Sequence, residues 1–142
     1  METLIQFFSE EIDFRLDDEA VVLDWILEVI GTEKLNAGLI NIIFCSDDYL
    51  LDLNQRFLER ETLTDVIAFD YREDEKDVSG DIFISIERVH ENATMHQQSV
   101  ENEVRRVIIH GILHLCGYAD KSPDEKAAMT AKEDKYLSLL SL

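Results

Sequence analysis

Two histidines four residues apart stand in the run His110-Gly111-Ile112-Leu113-His114-Leu115-Cys116-Gly117-Tyr118-Ala119-Asp120, and no other part of the chain restricts its fold so much. On an α-helix, positions i and i+4 lie one above the other, so both imidazoles reach toward a common point. A helix cannot supply a third ligand from that face without crowding. The chain has to turn, and Gly117 is suited to it because glycine tolerates the left-handed conformation. Asp120 then falls on the returning loop. Two imidazoles and a carboxylate, with a fourth position left for water, describe a catalytic zinc site, because structural sites usually fill all four positions. A metal site on a central helix is the expectation.

The alternative is that His110 and His114 are ordinary helix histidines and that Asp120 belongs to a loop. Gly111 weighs against it. Glycine inside a helix costs about 0.8–1.0 kcal/mol relative to alanine, and it marks close packing or room for a ligand. Gly111 also occupies the position where zinc proteases of the H-E-x-x-H type carry their general base. The metal must then do more of the water activation, and zinc lowers the pKa of its water toward about 7. That chemistry suits hydrolysis of a phosphodiester. Asp65 or Glu103 could assist, although spacing alone places neither. Cys116 points off the ligand face and is read as packing.

The rest of the chain supplies a frame for this helix. Thr3 to Phe8, Leu39 to Cys45, Thr64 to Tyr71 and Gly80 to Ile86 read as strands. Val21, Val22, Trp25, Ile26 and Val29 recur at helical spacing, with Gly31 as the stop and Trp25 as a core anchor. Ser46-Asp47-Asp48 caps a second helix with the stripe Tyr49, Leu50, Leu53 and Phe57. Helices follow over Glu87 to Gln97 and Val100 to Cys116, and Arg72 to Ser79 is a charged loop. Ser122-Pro123-Asp124-Glu125 is a capping box opening the last helix, with Tyr136, Leu137, Leu139 and Leu140 apolar near its end. Strands and helices do not alternate strictly. The expectation is an α+β fold: residues 1–142 as a single metal-dependent hydrolase domain, a small mixed sheet of about four strands packed with about five helices.

Charge limits the partners. With 31 acids against 13 bases the formal net charge is −18, a field that repels polyanions at long range. Binding RNA therefore demands a local basic patch, a metal ion or a protein partner. No apolar run reaches membrane-span length, the N-terminus has no basic n-region, and Cys45 and Cys116 match no CxxC pattern. A cytoplasmic protein with reduced thiols is expected.

The run from His110 to Tyr118 closely resembles the signature of the YbeY family, the bacterial rRNA-maturation endoribonucleases. Leu53-Asn54, followed by Thr64-Asp65-Val66-Ile67-Ala68-Phe69, is similar to that family's N-x-x-(Y/F) and T-D-V-L-S-F segments. Gly80-Asp81-Ile82-Phe83-Ile84-Ser85 is similar to its G-D-I-x-I-S strand. Order and spacing match over roughly residues 40 to 120. The resemblance implies a single-strand-preferring, zinc-dependent endoribonuclease with roles in 16S rRNA maturation and ribosome quality control. It implies one Zn2+ per chain and rRNA as substrate, with no DNA and no membrane partner, and it leaves room for ribosomal or ribosome-associated proteins. The family pattern H-G-x-L-H-L-x-G-Y-D-H has three histidines. Here His110 and His114 match and Asp120 takes the third position, adding one negative charge that weakens the metal as a Lewis acid. The family also commonly has arginine after the aromatic of the N-x-x-(Y/F) segment. Leu58 follows Phe57 here, with Arg56 and Arg60 flanking as helix-surface charge or substrate contacts.

The expected site is thus His110, His114 and Asp120 as metal ligands and catalytic centre, with Arg105 and Arg106 as phosphate contacts. Two other readings compete with the nuclease. One is a zinc metalloprotease or other zinc hydrolase, which Gly111 disfavours. The other is a ribosome-associated protein-binding module with a structural metal, which the net charge favours.

Overall fold

Ile40, Ile42 and Phe44 on one strand and Ile82 and Ile84 on another are all but inaccessible to solvent, and they form the buried face of one sheet. The computed structural model describes residues 4–58 and 64–140. Its elements run β1 (Leu4–Glu10), α1 (Glu19–Thr32), β2 (Asn36–Cys45), α2 (Asp47–Leu58), β3 (Val66–Asp70), β4 (Asp77–Ser85), α3 (Ile86–Met95), α4 (Val100–Leu115) and α5 (Pro123–Leu137), then a 3-10 turn over Ser138–Leu140. The strands lie in the order β1-β2-β4-β3. β1 and β4 both run parallel to β2, and β3 is antiparallel to β4. This is the expected α+β architecture, a mixed four-stranded sheet with five helices.

β2 shows why the sheet needs cover on both sides. Ile42, Ile43, Phe44 and Cys45 are buried in succession, as an interior strand with parallel neighbours requires. One face joins α1 and α4 in the main core. The other meets α2 in a smaller cluster built on Cys45, Leu50 and Ile67, with Tyr49, Leu53, Phe69 and Phe83 around them. Phe57, the last member of the predicted α2 stripe, stays largely exposed with its edge toward Phe69.

Two glycines set the height of α4 above the sheet. A Cβ on Gly111 would stand 2.7 Å from Ile82 Cγ2, and one on Gly80 would stand 2.9 Å from Leu115 Cδ2 and meet the Phe69 carbonyl. Their absence lets α4 lie directly on β4, so its histidines come level with the β3 edge. Close packing is therefore what Gly111 is for. A glutamate there would collide with Ile82, so the protease base has no room at this position.

The element ends depart from the sequence reading in instructive places. Gly31 does not stop α1. The helix passes through it to Thr32, and the left-handed residue is Lys34, φ 63°. The last turn is held from outside, because the Glu33 carboxylate accepts from the hydroxyls of Tyr118 and Tyr136 and from Lys132 Nζ. β4 begins at Asp77 rather than Gly80, because Asn36 and Ala37 pair with Asp77 and Val78. Thr3 lies outside the described residues. Ser122 forms the full capping box with Glu125, and Trp25 is 2% exposed with Nε1 donating to the Tyr136 carbonyl at 2.8 Å. No described helix is long and apolar enough to cross a membrane. Both cysteines are free thiols that burial pushes up to about 12; Cys116 packs against the core, as expected.

Candidate metal centre

α4 turns Glu103, Val107, His110 and His114 toward a cleft of about 760 Å³. Asp65 and β3 form the facing wall, Asn54 and Leu58 of α2 and Asn92 of α3 contribute to it, and Glu133 of α5 lies behind His110. The loop after Gly117, φ 109°, carries Asp120 back over the C-terminal turns of α4.

His110, His114 and Asp120 converge. The two Nε2 atoms are 3.0 Å apart, and Asp120 Oδ2 is 3.2 Å from the first and 3.4 Å from the second. Three donors about 2.0–2.1 Å from one ion, tetrahedrally disposed, stand about 3.3 Å from one another. The triangle is close to that size. These side chains are a quarter to a third exposed, on the side that opens to the cleft. Among the described residues, no other group of three metal-ligating side chains comes together.

Each imidazole is oriented from behind. His114 Nδ1 lies 2.9 Å from the Tyr118 carbonyl, which can only accept, so Nδ1 carries the proton and Nε2 presents its lone pair. His110 Nδ1 lies 2.6 Å from Glu133 Oε2, and a carboxylate again fixes the proton on Nδ1. Burial disfavours the charged form of His110. The Glu133 hydrogen bond, with the charges of Glu133, Asp120 and Asp65, outweighs that penalty and lifts its pKa above the ordinary value. Glu133 is itself 6% exposed and is held through Oε1 by Arg106 Nη1 at 3.0 Å.

The carboxylates named from sequence without a place now have one. Asp65 accepts from Asn92 Nδ2 at 3.3 Å, and burial raises its pKa against the opposing pull of His110. Glu103 lines the same cleft two turns of α4 before His110.

Arg105 and Arg106, expected as phosphate contacts, are both paired with carboxylates of the same chain. Arg105 does not line the cleft. Its side chain is 4% exposed, with Nη2 2.6 Å from Asp18 and 2.9 Å from Glu101. Arg106 does line it, but Nη1 is taken by Glu133 and Nη2 by Asp134 at 2.7 Å. Arg56 forms an exposed i,i+4 pair with Asp52, as solvated helix charge does. Arg60 lies outside the described residues. Sequence reasoning missed Glu133 and the Tyr118 carbonyl. A histidine ligand calls for an acceptor at its second nitrogen, but α5 offers Asp124, Glu125, Glu133 and Asp134, and only tertiary packing selects among them.

The family model described as Endoribonuclease YbeY matches residues 5–141. The chain belongs to the YbeY family. The endoribonuclease YbeY of Flavobacterium psychrophilum is 49% identical over 132 residues, covering 93% of this chain and 94% of the relative. That of Cytophaga hutchinsonii is 45% identical over 138 residues, covering 97% and 96%. A Thermotoga maritima protein with a structure determined in solution shares the fold, with a TM-score of 0.65 and 30% identity over 94% of this chain and 87% of that one. The YbeY match spans β1 to the end of α5, so it takes in the ligand helix and the residues that brace it.

Proposed function

We propose that this chain is a metal-dependent endoribonuclease that prefers single-stranded RNA and acts in 16S rRNA maturation and ribosome quality control. The curated relatives carry the endoribonuclease name, and the observation that supports the same activity here is the ligand triangle at the mouth of an open cleft. Residues 1–142 then form one hydrolase domain. His110, His114 and Asp120 would hold the ion, and an N,N,O donor set on this triangle suits one Zn2+ per chain. A cytoplasmic location with ribosomal proteins as partners accords with the activity.

When bound, zinc supplies positive charge to a phosphoryl oxygen and acidifies water at the site. The protein's own groups do the rest. Glu133 keeps the Nδ1 proton of His110 in place and the Tyr118 carbonyl does so for His114, so both Nε2 atoms stay available. Asp65 lines the same cleft with a raised pKa, which supports its carboxylate as the group that takes a proton from the attacking nucleophile. Asp120, where the family pattern has histidine, adds a negative charge beside the ion and makes it a weaker electrophile. Zinc-loaded protein should cleave single-stranded rRNA fragments and leave duplex RNA largely intact, and His114→Ala should abolish the cleavage. Equal cleavage by the two proteins would overturn the assignment.

A further inference from the structure

Glu103 is a cleft carboxylate that the metal chemistry does not use. It is 4% exposed and lines the cleft, yet among the described residues its carboxylate makes no hydrogen bond. His96 Nδ1 stands 3.8 Å from Glu103 Oε2, beyond hydrogen-bond reach. Neither Glu103 oxygen is sealed from solvent, so the acceptors open into the cleft, where donors of a ligand can reach them. It stands seven residues before His110 on the same stripe of α4, about 10 Å along the helix axis from the metal ligands.

We propose that Glu103 and His96 form a base-recognition subsite that takes a guanine of the bound RNA, a proposal that rests on the nuclease reading above. A carboxylate only accepts, and its two oxygens suit two donors side by side. Guanine alone among the RNA bases presents such a pair on its Watson–Crick edge, the N1–H and the N2 amino group. Single-stranded RNA is read in this way, by unstacked bases hydrogen-bonded on that edge and stacked on flat side chains. His96, 60% exposed beside Glu103, offers the stacking ring. Phosphate is excluded as the occupant by like charge. A base contact of this kind does not need a free cation, which suits a chain of net charge −18. Arg106, the one arginine among the described cleft residues, is occupied by Glu133 and Asp134, so the cleft offers base acceptors rather than free cations.

The test uses zinc-loaded protein and short single-stranded RNAs identical except for guanosine or inosine at one position, since inosine lacks the N2 amino group. Wild-type protein should bind the guanosine RNA about tenfold more tightly, the size of one hydrogen bond to a charged acceptor. Glu103→Gln should bring the guanosine RNA down to the inosine level. Equal affinities in the wild type, or a ratio that survives Glu103→Gln, would overturn the subsite. The wild-type ratio carries the test alone if the variant does not fold. Cleavage is scored separately: binding that discriminates without any cleavage supports the subsite and counts against the nuclease reading.

Discussion

The two halves of α4 use their charged side chains in opposite ways. In the N-terminal half, Arg105 and Arg106 pair with carboxylates of the same chain, Arg105 with Asp18 and Glu101 and Arg106 with Glu133 and Asp134. In the C-terminal half, His110 and His114 each spend one nitrogen on an internal acceptor and leave the other aimed at Asp120. The arginines are tied to the chain's own carboxylates, whereas the histidines keep one nitrogen each for the site. The lesson is electrostatic: this protein neutralises its own arginines and leaves the positive charge at the site to a metal.

The largest effect should come from removing a ligand. Zinc binding worth about 10–16 kcal/mol over four ligands makes each worth about 3 kcal/mol, so His114→Ala should weaken zinc at least about a hundredfold in a competition titration. Glu133→Gln should come next, weakening zinc by about 10–100-fold through loss of the acceptor behind His110. An effect of Glu133→Gln as small as that of an exposed substitution such as Lys126→Gln would break the claim that His110 is braced from α5. Arg105→Gln should instead lower stability by about 2 kcal/mol, less than the 3–5 kcal/mol of a wholly buried pair because Asp18 and Glu101 are partly exposed. It should leave the salt dependence of RNA binding unchanged; a shallower salt slope would mean that Arg105 contacts phosphate after all.

The pH dependence sharpens the same contrast. Because the pKa of His110 is raised in the folded chain, its protonated form stabilises the metal-free protein below about pH 6.5, the unfolded value. That contribution is lost as pH rises through the folded pKa. Metal-free protein should therefore melt at progressively lower temperature across that window, and Glu133→Gln should flatten the trend. Zinc affinity runs the other way, falling as acid protonates His110 in competition with the ion.

What was legible in the sequence follows from what spacing can encode. His110 and His114 belong to one helix, so their meeting is fixed by the 3.6-residue turn, and Gly117 with Asp120 needs only one further turn of chain. Ser122 to Glu125 is equally local, and its capping box is present as read. Glu133 and Arg105 are a different case. Glu133 reaches His110 from another helix, and Arg105 reaches Asp18 from 87 residues away. Nothing local distinguishes these from any other charge on a helix. Gly31 is a different matter: α1 runs on past it and is closed locally, with Lys34 left-handed and the Lys34 and Leu35 N–H groups donating to the Gly31 and Ile30 carbonyls.

The central claim is that His110, His114 and Asp120 form one ion site. Elemental analysis of protein purified without chelators, side by side with Asp120→Ala, tests it most directly. About one zinc per chain in the wild type, lost or sharply reduced in Asp120→Ala, is the expected result. Wild-type protein without metal, or full zinc occupancy in the variant at equal affinity, would contradict the account.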